Sequence, residues 1–472
     1  MKLLVLRNIA AACCAFFVLA SLRAQADGDF SGVAARTGPD WLRDGTIYEI
    51  FPREFSAAGD LNGVTAKLDD LKRLGVNILW TMPIHPIGEK GRKGELGSPY
   101  SIKDYYAVDP HYGTVADYRR LVVEAHRRGM RVIMDLVADH TSWDSVLMQH
   151  PEFYKHDAAG NIIPPVPEWT DVAALDYANP QLRQYMVAML KYWIQTCDVD
   201  GFRCDAAAMV PTDFWEQIRV ELVKVKPDIM LLAEASKPEL LTNAFDIDYS
   251  WPLLFTMKDV LLHHAPASRI RRSWEDSCAE FPKAALHMRI ADDHDEARAF
   301  SRYGVDGTLA ASALMFTLDG VPLIYNGMEI GDATESTGDA LFDKQTIGWQ
   351  SEQHPELRGV FHDLIQLRHQ YAALRSSRVD WLHNSNETNL VTFLRADAKD
   401  ELLVVINFSS HPLTSRVDLK SVDGFVPLKI SGVTGGNDAP LPLVQLNGYE
   451  WRIYHRTSNG SYPVASLGPE KN

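Results

Sequence analysis

Residues 200–210 read DGFRCDAAAMV and follow an apolar run ending in KYWIQTC. They place Arg203 and Asp205 two residues apart in a segment that otherwise reads as buried. Successive side chains of a β-strand alternate faces, so both charges leave one short strand on the same side. Burying a lone charge costs several kcal/mol, so the pair makes sense only if the two groups serve each other or a ligand. The stretch is therefore a buried strand carrying charge toward one end, and the neighbouring sequence must supply the sheet that buries it.

On both sides of this strand, apolar runs alternate with helical patterns, as in a parallel sheet with crossover helices. TIYEIFP (46–52) is a first strand, followed by a helical face of Val64, Leu68 and Leu71 that Gly75 stops. VNILWTMPIH (76–85) is the second strand, and its helix runs from Thr114 to Gly129. RVIMDLVADH (131–140) is the third. Residues 141–179 lose the pattern and hold Pro164, Pro165 and Pro167, so they form a short excursion of the kind that usually serves a site. Asn179 and Pro180 open the next helix. Strands four to eight follow at 199–205, 228–235, 244–250, 287–295 and 321–326, and a last helix spans 356–375.

Eight such units predict an α/β fold, a (β/α)8 TIM barrel over residues 27–376 that includes the excursion. From residue 377 short alternating runs (LVTFLRAD, ELLVVINFS, YEWRIYH) predict a C-terminal antiparallel β-sandwich domain to residue 456. Residues 457–472 read as a polar tail.

The first 26 residues carry Lys2 and Arg7, an apolar run and Ala24-Gln25-Ala26, which is the pattern of a cleaved signal peptide. The run is short for a membrane span, so a secreted or periplasmic protein with no membrane attachment after cleavage is expected. A net charge of −15 argues against nucleic acid as partner. Cys197, Cys204 and Cys278 remain in the mature chain, an odd number read as free thiols. A chain of this size needs no partner copy, and its oligomeric state stays open.

In a barrel of this kind chemistry collects at the C-terminal ends of the strands. Acids fall there repeatedly: Asp135, Asp139 and His140 after strand three, Arg203 and Asp205 on strand four, Glu234 after strand five, and Asp292, Asp293, His294 and Asp295 after strand seven. One such acid could cap a helix, but four strands ending so do not reduce to capping. Converging carboxylates without a Cys-rich or His-rich ligand set or a phosphate loop suit glycoside hydrolysis, in which one acid attacks and another donates a proton. Tyr100, Tyr105, Tyr106, Trp143, Trp169 and Tyr177 lie in the same loops and could stack on sugar rings or simply pack them.

DLVADH (135–140), GFRCDAAAM (201–209), LLAEA (231–235) and ADDHD (291–295) resemble, in order, the four signature regions of the α-amylase family, glycoside hydrolase family thirteen. GSPYSIKDYYAVDPHYGT (97–114) and GVPLIYNGMEIG (320–331) add to the resemblance, which covers residues 41–455. It implies a retaining enzyme with Asp205 as nucleophile, Glu234 as general acid/base and Asp295 as the carboxylate that stabilises the transition state. Arg203 would orient Asp205 and lower its pKa. His140 and His294 would bind sugar hydroxyls, Tyr100 would stack beneath the sugar, and Asp135 would brace the site. The implied partner is an α-glucan oligosaccharide or polysaccharide.

Several positions depart from the family pattern. Asp139 stands where an Asn that binds calcium is usual, and Ala174 stands where a second calcium ligand, an Asp, is usual. One acidic replacement is a thin ligand set, so no metal or other cofactor is expected. Ala208 and Met209 replace a Lys-His pair that touches the leaving-group sugars, and Asp293 replaces an Asn. These changes weaken the case for long starch and leave maltooligosaccharides at least as well supported. Transglycosylation and α-1,6 or disaccharide specificity are alternatives within the family. A non-catalytic sugar-binding protein is the alternative outside it, but such a protein should lack one of the three acids.

Overall fold

A computed structural model describes residues 28–335, 337–349, 354–431 and 439–458. The expected signal peptide and all but the first two residues of the expected tail lie outside the described residues. Eight parallel strands close on themselves: β1 (Ile47–Ile50), β2 (Ile78–Thr81), β3 (Arg131–Val137), β4 (Gly201–Asp205), β5 (Met230–Ala233), β6 (Ile247–Tyr249), β7 (His287–Arg289) and β8 (Val321–Tyr325). Each pairs with its sequence neighbours, and β8 pairs with β1 to complete the barrel. The expected TIM barrel is thus the observed fold.

Local chemistry explains the connecting helices. Thr114 accepts the backbone N–H of Asp117, whose carboxylate accepts the Thr114 N–H in return, and this capping box opens the helix Val115–Arg127. Asn179 caps Pro180–Cys197 by accepting from the Gln181 N–H. Close packing of the barrel wall shows at Gly201, where an added Cβ would lie 2.5 Å from the Met230 carbonyl oxygen. The strand that carries Arg203 therefore begins with the residue that lets β5 approach it.

Some strands are shorter than expected. The third ends at Val137, and His140–Ser142 instead pairs with Val172–Ala174 in a separate hairpin within the excursion. The seventh ends at Arg289, leaving residues 290–295 free to reach partners off the sheet. The first helix splits at Lys67 into Leu61–Ala66 and Leu68–Leu74.

After the helix Pro355–Gln370 the chain forms antiparallel sheets: one of five strands and a two-stranded ladder of Leu413–Arg416 with Leu443–Leu446. Leu390, Leu403, Val405, Val417, Val444, Leu446 and Tyr454 form a small core of their own. Among the described residues no helix is long and apolar enough to cross a membrane. Cys197 and Cys204 are free and buried, whereas Cys278 is free and exposed.

Candidate active site

Arg203, wholly buried on β4, is the centre of the site. Its Nη1 donates to Asp135 Oδ1 at 3.0 Å and to Asp205 Oδ1 at 2.8 Å. Nη2 lies 3.1 Å from Glu234 Oε2, an ion contact without hydrogen-bond alignment. Its Nε donates to the Tyr249 hydroxyl at 3.1 Å. The guanidinium also sits 5.1 Å from the Trp80 ring centroid and 5.7 Å from that of Tyr100, within cation–π range. One planar cation thus gathers carboxylates from the ends of three neighbouring strands, as bidentate geometry allows for Arg and not for Lys.

The residue after Asp205 is held in an unusual conformation. Ala206 has φ 42° and ψ 42°, the left-handed region that costs a non-glycine residue about 1–2 kcal/mol. The twist points the Ala206 N–H at Glu234 Oε2, 2.7 Å away. Because that oxygen accepts the Ala206 N–H and faces Arg203, Oε1 is the atom left to carry a proton.

The acids differ in proton affinity as acid and nucleophile should. Burial pushes Glu234 up to about 8; Arg203 opposes the rise, and Asp205 and Asp295 add to it. Burial likewise lifts Asp205 to about 6, outweighing Arg203. Arg203 thus acts on Asp205 in the expected direction, but the burial of the carboxyl outweighs it and the net shift is upward. The order is what matters, and near neutrality Asp205 is ionised while Glu234 holds its proton. Asp135, raised to about 6 by burial against Arg203, also accepts the Trp80 indole N–H at 3.1 Å.

Asp295 is the most open of the acids, with its side chain 43% exposed and Oδ2 3.3 Å from His294 Nε2. His294 Nδ1 is 2.6 Å from Glu49 Oε1, and Nε2 is 2.7 Å from the Tyr100 hydroxyl. Tyr100 stacks on His294 with centroids 5.3 Å apart. Burial disfavours charge on His294, but Asp295 and Glu49 outweigh it and lift the imidazole to about 10.

On the other flank, His140 Nε2 donates to the Tyr100 carbonyl at 3.1 Å and Nδ1 lies 2.9 Å from Asp139 Oδ1. Burial lowers its pKa, and Asp139 more than reverses that, to about 9. Donor atoms of Asp139, His140 and Asp205 lie within 4.8 Å of one another. Calcium wants six to eight hard oxygens, whereas here one donor is a cationic imidazole, Arg203 faces another, and Ala174 offers no side-chain oxygen. These residues do not fit calcium, and Asp139 serves His140 as a counter-ion.

The structure thus brings together Asp135, Arg203, Asp205, Glu234, His294, Asp295, Tyr100 and His140. It divides the six aromatic candidates. Trp169 packs edge-on against His140 at 5.6 Å, and Trp143 donates to the Thr170 carbonyl beside it. Tyr105 and Tyr177 are buried and donate to backbone carbonyls of residues 137, 138 and 140, while Tyr106 packs on Tyr185 and Tyr192. These last three are packing residues. Sequence reading missed Glu49, Trp80 and Tyr249. For Glu49 the signal was present: a lone acid inside the apolar strand IYEI, the same anomaly that singled out Arg203.

The α-amylase catalytic-domain family model matches residues 26–158 and 168–363. An α-amylase of Haloarcula japonica is 28% identical over 437 residues, covering 88% of this chain; the chain spans 63% of that relative's length. An intracellular maltogenic amylase of Bacillus subtilis is 26% identical over 431 residues, covering 82% of this chain and 71% of the relative. The crystal structure of an α-amylase from Lactobacillus plantarum superposes with a TM-score of 0.79 at 32% identity, covering 88% of this chain and 99% of that one.

Proposed function

The chain belongs to the α-amylase family of glycoside hydrolases, and from that premise we propose a secreted, retaining enzyme cleaving α-glucosidic bonds, chiefly α-1,4, in maltooligosaccharides or starch-like α-glucans. The observation that carries the reading is the shared guanidinium: Arg203 holds Asp205 and faces Glu234 with adjacent nitrogens while the two acids differ in proton affinity. Retention needs the two carboxyls about 5–5.5 Å apart, and a single guanidinium is a short tether of that order.

In this mechanism ionised Asp205 attacks the anomeric carbon as Glu234 protonates the departing glycosidic oxygen. A glycosyl ester forms on Asp205, and the C–O bond to the leaving sugar breaks. Glu234, now a carboxylate, takes a proton from water, which attacks the same carbon and releases Asp205. Asp295, open to the cleft, binds hydroxyls and steadies the positive charge that develops on the ring. His140, His294 and Tyr100 form the wall against which the sugar is read, and Asp135 braces Arg203 from behind.

Ala208 and Met209 give no hydrogen bond or charge to a leaving-group sugar, which supports short α-glucans over long ones. Secretion rests on the N-terminal 26 residues, and the word intracellular in the name of the Bacillus subtilis relative describes that protein alone. The test is an assay of the mature protein on maltotriose, soluble starch, panose, sucrose and trehalose, with the anomer of the first product read by NMR. Maltotriose cleavage with an α-anomeric product is expected, and a β-anomer overturns retention. N-terminal sequencing of protein from the medium or periplasm, expected to begin after Ala26, tests export.

A further inference from the structure

Glu49 has no part in the proposed mechanism, yet it is a wholly buried acid in direct contact with His294 of the sugar wall. It sits on β1, three strands round the barrel from β4, with no solvent exposure. Its Oε1 meets His294 Nδ1 at 2.6 Å, and its Oε2 has no hydrogen-bonding partner. Burial raises its proton affinity, and His294 is the group that chiefly opposes the rise.

Protons can be counted along the chain of contacts. The Tyr100 hydroxyl has one proton and donates it to Asp135 Oδ2, 3.2 Å away. Its oxygen must then accept from His294 Nε2, at 2.7 Å, so Nε2 carries hydrogen. Nδ1 faces a carboxylate at 2.6 Å and carries hydrogen too. His294 is therefore an imidazolium, although it shares the site with the Arg203 cation. The groups facing it are Glu49, Asp295, Tyr100, Asp293, Asp135 and Arg203.

We propose that Glu49 is a positioning residue for glycoside hydrolysis: it holds His294 as a cation whose Nε2–H is fixed toward Tyr100 and Asp295, so that both keep one orientation toward the substrate. The inference rests on the reading of the site as a glycosidase centre and adds a residue to it. Without the Glu49 charge, His294 gives up a proton. Its Nε2 then becomes an acceptor, the Tyr100 O–H turns from Asp135 to His294, and Asp295 loses the donor beside it.

Two readouts test this, one of them independent of any substrate. In protein labelled with ¹⁵N-histidine, the wild type should show a low-field proton on the Nδ1 of one imidazole, assigned by its disappearance in His294→Asn. It should persist to alkaline pH together with a second proton on Nε2, whereas Glu49→Gln should lose the Nε2 proton at lower pH. On maltotriose, Glu49→Gln should lower kcat about ten- to a hundredfold with KM within about twofold, and Glu49→Leu should lower it further. A wild-type His294 with only one ring nitrogen protonated at neutral pH overturns the proposal. So does a folded Glu49→Gln that keeps wild-type kcat. If the wild type cleaves no α-glucan while the imidazole signal behaves as stated, the glycosidase reading fails and the Glu49–His294 pairing stands.

Discussion

Of the places where this molecule buries arginines, two neutralise them in different ways. At the mouth of the barrel Arg203 is surrounded by carboxylates, with Asp135 and Asp205 hydrogen-bonded and Glu234 in ion contact. At the junction between barrel and C-terminal sheet, Arg368 and Arg395 are equally buried but bond only backbone carbonyls. Arg368 donates to the oxygens of Phe316, Leu318, Gly320 and Leu374, and Arg395 to those of Thr317, Ser376 and Arg378. Several of those carbonyls lie at or just beyond the C-terminal end of the helix Ala299–Thr317, where unpaired acceptors and the helix dipole favour a cation. Dipoles do not titrate, so the junction is a permanent clamp. Carboxylates do, so the mouth can exchange protons with a substrate.

Asp205→Asn tests this contrast most sharply. It keeps shape and removes the nucleophile, so maltotriose turnover should fall at least about a thousandfold with little change in melting temperature. Normal turnover in that variant would overturn the mechanism. Arg203→Met should be nearly as damaging to kcat and should also destabilise the fold by about 3–5 kcal/mol, since it strands buried acids; denaturant unfolding measures this. Arg368→Met should do the reverse, leaving kcat within about twofold while costing about 1.5–3 kcal/mol through the abandoned carbonyls.

The pH behaviour should separate the two regions as well. Turnover should follow a bell with limbs near 6, as Asp205 ionises, and near 8, as Glu234 loses its proton. Glu234→Gln should remove the alkaline limb along with most activity. The smallest effect is on stability. Asp205 has a folded pKa raised above its unfolded value, so its contribution is full below about pH 4 and is lost as pH rises through 6. Melting temperature against pH should therefore be flatter between 4 and 7 in Asp205→Asn than in the wild type, whereas Arg368→Met should lower the whole curve without changing its slope.

How far the site was legible in the chain varies from residue to residue. Arg203 and Asp205 stood out because charge inside a buried strand is costly, and Glu234 and Asp295 because they follow strands in a fold that works at strand ends. Glu49 gave the same kind of signal, but a lone acid names no partner, and His294 lies 245 residues away. Trp80 and Tyr249 gave none, since an aromatic in an apolar strand is ordinary core. The ends of β3 and β7 were overextended for a related reason. DLVADH and ADDHD continue the strand pattern, but their buried acids leave the sheet to find cations, Asp292 meeting Arg298 at 3.0 Å and Asp139 meeting His140.

The order of strands and helices, and hence the barrel, was determined by the sequence itself, because hydrophobic period and turn residues are local properties. So was the set of acids at the strand ends. Which acid keeps its proton was decided only by the tertiary structure. Local sequence placed Arg203 beside Asp205 and suggested a lowered pKa, whereas closure of the barrel removed water from both and raised it. Desolvation depends on everything that surrounds a group, and the surroundings of Asp205, Glu234 and Glu49 come from strands that meet only when the sheet closes.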